Sequence, residues 1–246
     1  MSWISPKHPR AESLRTRERL VKGFKAGMVA PEGLTAHGRG EAFDYLLGER
    51  TTEQARRAIR AAAAALLLAE RPVISVNGNV AALVPREIVG LAKLTNAKLE
   101  VNLFHGSVAR EKKIACWLKK HGAREVLGVD PRFSVKIKEI HSNRRKVDSR
   151  GIAGADVVLV PLEDGDRTKA LKKLGKQVIA VDLNPMSRTA RAASITIVDN
   201  IARTMPTLVE SVKNLSRCSK ACLQKGLENF DNDTNLKKSL ELMLNR

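Results

Sequence analysis

Four apolar runs rich in Val and Ile constrain this chain most. They are "VISV" from Val73, "ADVVLVPL" from Ala155, "KQVIAVDL" from Lys176 and "SITIV" from Ser194. Each run is nearly continuous rather than alternating, and helical spacing resumes between them. Strands buried on both faces carry this pattern, and the intervening helices supply the cover. The pattern predicts an α/β class with a mostly parallel sheet covered by helices. "KLEVNLF" and "REVLGV" read as further strands. Helices are predicted from Thr51 or Thr52 to Ala69, over "PREIVGLAKLTN", "SVAREKKIACWLKKHG" and "DRTKALKKLG", and briefly over "SRTARAA". Pro85 suits a first helical turn and Gly122 a helix end. Strand order is not legible from the pattern.

The flanks differ from this core. Leu14, Leu20, Val21 and Phe24 have helical spacing, so residues 1–50 read as an N-terminal helical extension that includes a His37–Gly40 loop, "HGRG". Residues 51–215 form the expected core. Residues 216–246 form a C-terminal helical segment, with helices expected from Ala202 to Cys218 and from Leu236 to Leu244. Asp130 to Arg150 is charged and poorly periodic, and is expected to be a loop or an excursion over a site.

A net charge of +18 favours polyanions of every size, from nucleic acid to ATP and phosphate esters. Basic residues crowd between Arg110 and Arg150, including "NRRK" at 143–146. Two Trp and one Tyr provide few stacking platforms for single strands. A basic nucleic-acid-binding protein with an α/β core is therefore the alternative reading. The longest apolar stretch, "AAAAALLLAE", is too short to span a bilayer, and the start lacks the apolar region of a signal peptide. Cys116, Cys218 and Cys222 are odd in number, which argues against a disulfide framework and for a reducing cytoplasm. Cys218 and Cys222 read as a pair on one helix face. No metal is assigned to the protein itself.

Neither GxGxxG nor GxxxxGK[ST] occurs. Polar residues instead gather where the strands end, which is where open α/β sheets place ligands. Asn77, Gly78 and Asn79 close the first run. They read either as a turn or as a ligand cradle. Glu163, Asp164 and Asp166 follow the next run, more acids than one helix cap needs, and can receive an ammonium group or a hydrated Mg²⁺. Arg167 beside them can pair with one of them. Asp182 and Asn184 suit a ribose or a purine edge, and Arg188 and Thr189 suit phosphates at a helix start. Asp199 and Asn200 repeat the pattern. Arg39 can fork onto a phosphate. His37 can move a proton or simply orient its loop. No Ser-His-Asp set or nucleophile elbow is present.

Several stretches together closely resemble one family: "HPR" at 8–10, "GLTAHGRGEAFDYLLGERT" at 33–51, "PVISVNGNVAALVP" at 72–85, "ADVVLVPLEDGDRT" at 155–168 and "DLNPMSRTARAASITIVDNI" at 182–201. These are the archaeal 4-phosphopantoate–β-alanine ligases, or phosphopantothenate synthetases. The resemblance implies a Rossmann-like fold and a homodimer. It implies ATP and Mg²⁺ as co-substrate and counter-ion, with 4-phosphopantoate and β-alanine joined as AMP and diphosphate leave. A 4-phosphopantoyl adenylate is the implied intermediate in this step toward coenzyme A. Carried over by motif, ATP meets Arg17, Arg39, Asp182, Leu183, Asn184, Arg188, Thr189, Asn200 and Ile201. Arg17 is found only this way, since its helical position otherwise reads as a solvated face. Arg39 and Arg188 are expected to spread phosphoryl charge, and His37 or one of the three acids to deprotonate the amine. Asn77, Gly78 and Asn79 are expected at the phosphopantoate. The chain departs from the family pattern at His105-Gly106, where members carry Tyr-Arg.

Overall fold

Burial of the Val and Ile runs organises the molecule. A computed structural model describes residues 4, 5 and 7–245. In chain order the helices and strands are α1 (Ala11–Lys25), α2 (Pro31–Leu47), α3 (Glu53–Leu68), β1 (Val73–Val76), α4 (Gly78–Leu83), α5 (Pro85–Thr95), β2 (Lys98–Val101), α6 (Val108–Lys120), β3 (Ser134–Lys136), β4 (Lys146–Asp148), β5 (Val157–Pro161), α7 (Gly165–Lys173), β6 (Gln177–Val181), α8 (Arg188–Ala192), β7 (Ile195–Ile197), α9 (Ile201–Leu215), α10 (Lys220–Glu228) and α11 (Asn232–Leu244).

Five strands form one parallel sheet in the order β2-β1-β5-β6-β7. Successive side chains on a strand face opposite ways. Ile74, Val76, Leu159, Ile179 and Val181 accordingly join the core layer beneath α3, α5 and α9. Val73, Val158, Val160, Val178 and Ala180 join the other layer, with Ala170 and Leu171 of α7. The Ala run of α3 keeps that helix slim, and Ala58, Ala62 and Ala63 are wholly buried. The Thr52 hydroxyl starts α3 by accepting from Ala55 N.

Residues 130–150 are more than a loop. They form the β3–β4 hairpin, and Ile137, Ile140 and Val147 complete the second core layer. "REVLGV" forms no strand, since only Leu127 bridges, to Glu100. Gly128 turns the chain away with φ +81°. The "HGRG" stretch is not a loop either, because it lies inside α2. Neither glycine makes a turn: Gly38 borders open space and Gly40 lies beside Leu183. The C-terminal segment holds a helix, α10, that periodicity missed. Cys218 falls before the Ser219 cap of α10, so Cys218 and Cys222 do not share a helix.

β7 is an edge strand with backbone groups to satisfy. Asn232 Oδ1 accepts from Thr196 N, and Asn235 Nδ2 donates to Thr196 O, each at 2.8 Å. α11 thereby closes the sheet edge while Leu236 and Met243 pack with Leu47 and Leu183. No helix among the described residues is long and apolar enough to cross a membrane.

Candidate active site

Chain order reverses between β1 and β5, so their carboxyl ends border a topological switch point. Asn77 stands there. Its Oδ1 caps α4 by accepting from Val80 N at 3.0 Å. Its Nδ2 donates to the carbonyls of Pro161 and Leu162, both at 3.1 Å. Leu162 has φ +56°, an uncommon conformation for a residue with a Cβ, and the Asn77 amide holds its carbonyl. Asn79 Nδ2 donates to Gly33 O, joining this corner to α2. Any Cβ on Gly78 would collide with the Met28 carbonyl.

A cavity of about 510 Å³ opens at this point. Six of the residues singled out by sequence line it: Arg39, Asn77, Gly78, Asn79, Glu163 and Asp164. The three acids after β5 take separate roles. Glu163 is buried between two guanidinium groups, with Arg144 Nη1 at 2.6 Å and Arg167 in direct ion pairing. Burial pushes the Glu163 carboxyl up, but the charges of Arg144 and Arg167 outweigh it and hold the group below its ordinary range. Arg167 also donates to Ser75 Oγ. Asp164 caps α7 through Arg167 N and lies 3.1 Å from Arg144 Nε. Burial and the charge of Glu163 both raise its pKa. Asp166 faces outward and pairs with exposed Arg188 at 3.2 Å.

α2 links this cavity to the ends of β6 and β7. Asp182 follows β6 directly and accepts from Asn184 N and Ser187 Oγ. Burial raises its pKa and the charge of Arg39 opposes the rise. Asn184 Oδ1 accepts from Met186 N, and Leu183 is buried under α2. Thr189 Oγ1 donates to Glu163 O, tying α8 to the cavity floor. After β7, Asn200 caps α9 through Ala202 N and donates to Asp44 of α2, and Ile201 is buried. Arg17 reaches α2 from α1 through Glu41, at 2.9 and 3.0 Å. His37 Nε2 lies 3.8 Å from Glu41 and is buried without a hydrogen-bond partner. Burial lowers the His37 pKa against the opposing pull of Glu41, so the ring is neutral at neutral pH.

A profile of the phosphopantothenate/pantothenate synthetase family matches residues 54–246. The chain belongs to that family. It is 55% identical over 234 residues to the 4-phosphopantoate–β-alanine ligase of Thermococcus kodakarensis, covering 95% of this chain and 89% of that relative. It is 51% identical over 240 residues to the 4-phosphopantoate–β-alanine ligase of Methanosarcina mazei, covering 98% and 94%.

Within this phosphopantothenate/pantothenate synthetase fold, sequence reasoning missed several participants. Arg144 belonged to a run that read as a surface for nucleic acid, yet it is 6% exposed and lines the cavity. The apolar spacing of Ile137, Ile140 and Val147 was the only local sign that its segment packs inward. Arg110 lines the same space, together with His105, which the sequence had already marked as the departure from the family pattern. Arg203 bridges Asp44 and Asp199, with 2.6 Å to Asp199, and Thr51 donates to Asp199 at 2.7 Å. Nothing near Asp44 in the sequence signals a partner on α9.

Proposed function

We propose that this chain ligates 4-phosphopantoate to β-alanine at the expense of ATP, forming 4′-phosphopantothenate with AMP and diphosphate. The observation that carries this reading is identity of 50–55% to four 4-phosphopantoate–β-alanine ligases. Amide formation from a carboxylate requires activation, since oxide is a poor leaving group. The pantoate carboxylate attacks the α-phosphorus, displacing diphosphate and leaving an acyl adenylate.

ATP lies along α2, with Arg17 and Arg39 on one side and Asp182, Asn184, Arg188 and Asn200 at the ends of β6 and β7. Leu183, Thr189 and Ile201 shape that side. Arg39 and Arg188 stabilise charge growing on the phosphoryl oxygens. Mg²⁺ comes with the nucleotide phosphates as their counter-ion. Among the described residues no three His, Cys, Asp or Glu side chains gather into a metal cage. The acid substrate occupies the switch-point cavity, beside Asn77, Gly78 and Asn79.

The amine of β-alanine must be neutral to attack the acyl carbon. Glu163 is committed to two arginines and Asp166 does not line the cavity, so Asp164, whose Oδ2 lies near Arg144 Nε but makes no hydrogen bond among the described residues, is the acid suited to take that proton. Its cavity position and raised pKa support the role. His37, on the nucleotide side of α2 beside Glu41, is the other candidate for that proton. The family resemblance also supports a homodimer.

Measuring AMP formation from ATP and 4-phosphopantoate, with and without β-alanine, tests the reading. AMP matched one-for-one by 4′-phosphopantothenate is expected. ADP as the product would overturn the adenylate route, and no product would overturn the ligase.

A further inference from the structure

We propose that Arg144 reads the phosphate of the acid substrate and so decides between 4-phosphopantoate and its unphosphorylated counterpart. This rests on the function proposed above. The family description names both phosphopantothenate and pantothenate as products, which makes discrimination at the phosphate the open question.

Arg144 is a buried cation whose fork is only partly used. Its Nη1 engages Glu163 and its Nε faces Asp164, while Nη2 makes no hydrogen bond among the described residues. The side chain lines the switch-point cavity. With Glu163 at Nη1 and Asp164 at Nε, the planar group keeps Nη2 between them, and its N–H groups suit an oxygen of a tetrahedral oxyanion. Arg110 stands on the same wall, its Nε donating to Met28 O and its Nη1 to His105 O.

The two arginines bracket one loop. Arg110 holds the His105 carbonyl, and Asn143, next to Arg144, donates to the Phe104 carbonyl at 3.1 Å. The Arg144 backbone is itself held in place, since buried Asn102 donates to the carbonyls of Arg144 and Lys146, at 3.3 and 2.7 Å. Glu100 fixes the return of the same excursion by accepting from Asp148 N and Ile152 N.

Charge balance points the same way. Glu32, Glu163 and Asp164 face the cavity along with Arg39, Arg110 and Arg144. Arg167 stands behind Glu163 and matches it, so the wall retains one surplus cation for an incoming anion. Leu103 and Leu162 give the same cavity an apolar surface for a branched carbon skeleton.

The test compares wild type, Arg144→Gln and Arg144→Lys on 4-phosphopantoate and on pantoate. Glu163 keeps Arg167 in both variants, and urea unfolding checks that they fold. Loss of a charge-assisted fork predicts a ~10–100-fold rise in KM for 4-phosphopantoate in Arg144→Gln. KM for ATP should stay within about threefold, and activity on pantoate should fall by a smaller factor than activity on 4-phosphopantoate, so the preference narrows. Arg144→Lys should recover part of it as a point charge. Equal losses on both acids, or a rise in KM confined to β-alanine, would overturn the assignment. Titration of 4-phosphopantoate followed by ³¹P NMR without ATP gives a readout independent of turnover. Equal affinity in wild type and Arg144→Gln would refute the phosphate contact even if the ligase reading stands. Arginine-dependent binding in an inactive protein would refute only that reading.

Discussion

The Asn77 amide nitrogen lies 3.1 Å from the Leu162 carbonyl oxygen, joining the ends of β1 and β5 across the switch point. The same amide caps α4, so one side chain serves a helix start, a strained backbone and a cavity wall. The hydrogen bonds of Asn77 are those of a scaffold residue.

Asn77→Ala should therefore destabilise the fold by about 1–3 kcal/mol, the range for losing a cap and leaving carbonyls unpaired. Urea unfolding measures this. A stability change under ~0.3 kcal/mol with a raised KM for 4-phosphopantoate would show instead that ligand binding dominates at Asn77.

Arg203 neutralises two buried carboxylates, Asp44 and Asp199. Arg203→Met should cost about 3–5 kcal/mol, because removing one partner strands buried charge. The deficit should shrink as pH falls, since burial already raises the Asp199 carboxyl and the stranded group takes up a proton more readily. A deficit that is small or independent of pH would contradict this account.

Glu100 is fully buried in β2, and burial raises its pKa from 4.5 to about 7 against hydrogen bonds from Ile152 and Asp148 and the charge of Arg167. The folded protein holds a proton there between those two values while the unfolded chain gives it up. Stability should thus fall as pH rises from about 4.5 to 7, then level off. The total is of order 3 kcal/mol at 1.36 kcal/mol per unit. Glu100→Gln should remove this slope, seen as a wild-type-minus-variant difference in unfolding free energy that declines from pH 5 to pH 8. A constant difference would mean that Glu100 does not titrate in this window.

Arg188 is 71% exposed and pairs only with Asp166 among the described residues. Arg188→Ala should leave stability within about 0.5 kcal/mol, as for most surface positions. Loss of a phosphate contact should still lower kcat/KM for ATP by ~10–100-fold, as removing a charge-assisted hydrogen bond does. Asp166→Asn breaks the same surface pair and should have little effect. Equal, small effects from both variants would reduce Arg188 to a surface ion pair.

Local patterns in the chain determined most of the architecture. Runs such as Val157–Pro161 and Gln177–Val181 cannot be solvated, so they must become buried strands, and helical spacing between them supplies the cover. The same patterns put Asn77, Glu163, Asp182 and Asn200 at strand ends, because those positions follow directly from where each run stops. Tertiary structure alone decided which of these groups are spent. Glu163 is committed by Arg144, 19 residues away, and Asp44 by Arg203, 159 residues away. Whether a polar side chain meets a ligand or a partner depends on desolvation and pairing across the fold, which no local window contains. For the same reason "NRRK" read as exposed charge, and only the packing of Ile137, Ile140 and Val147 turned Arg144 into the cavity.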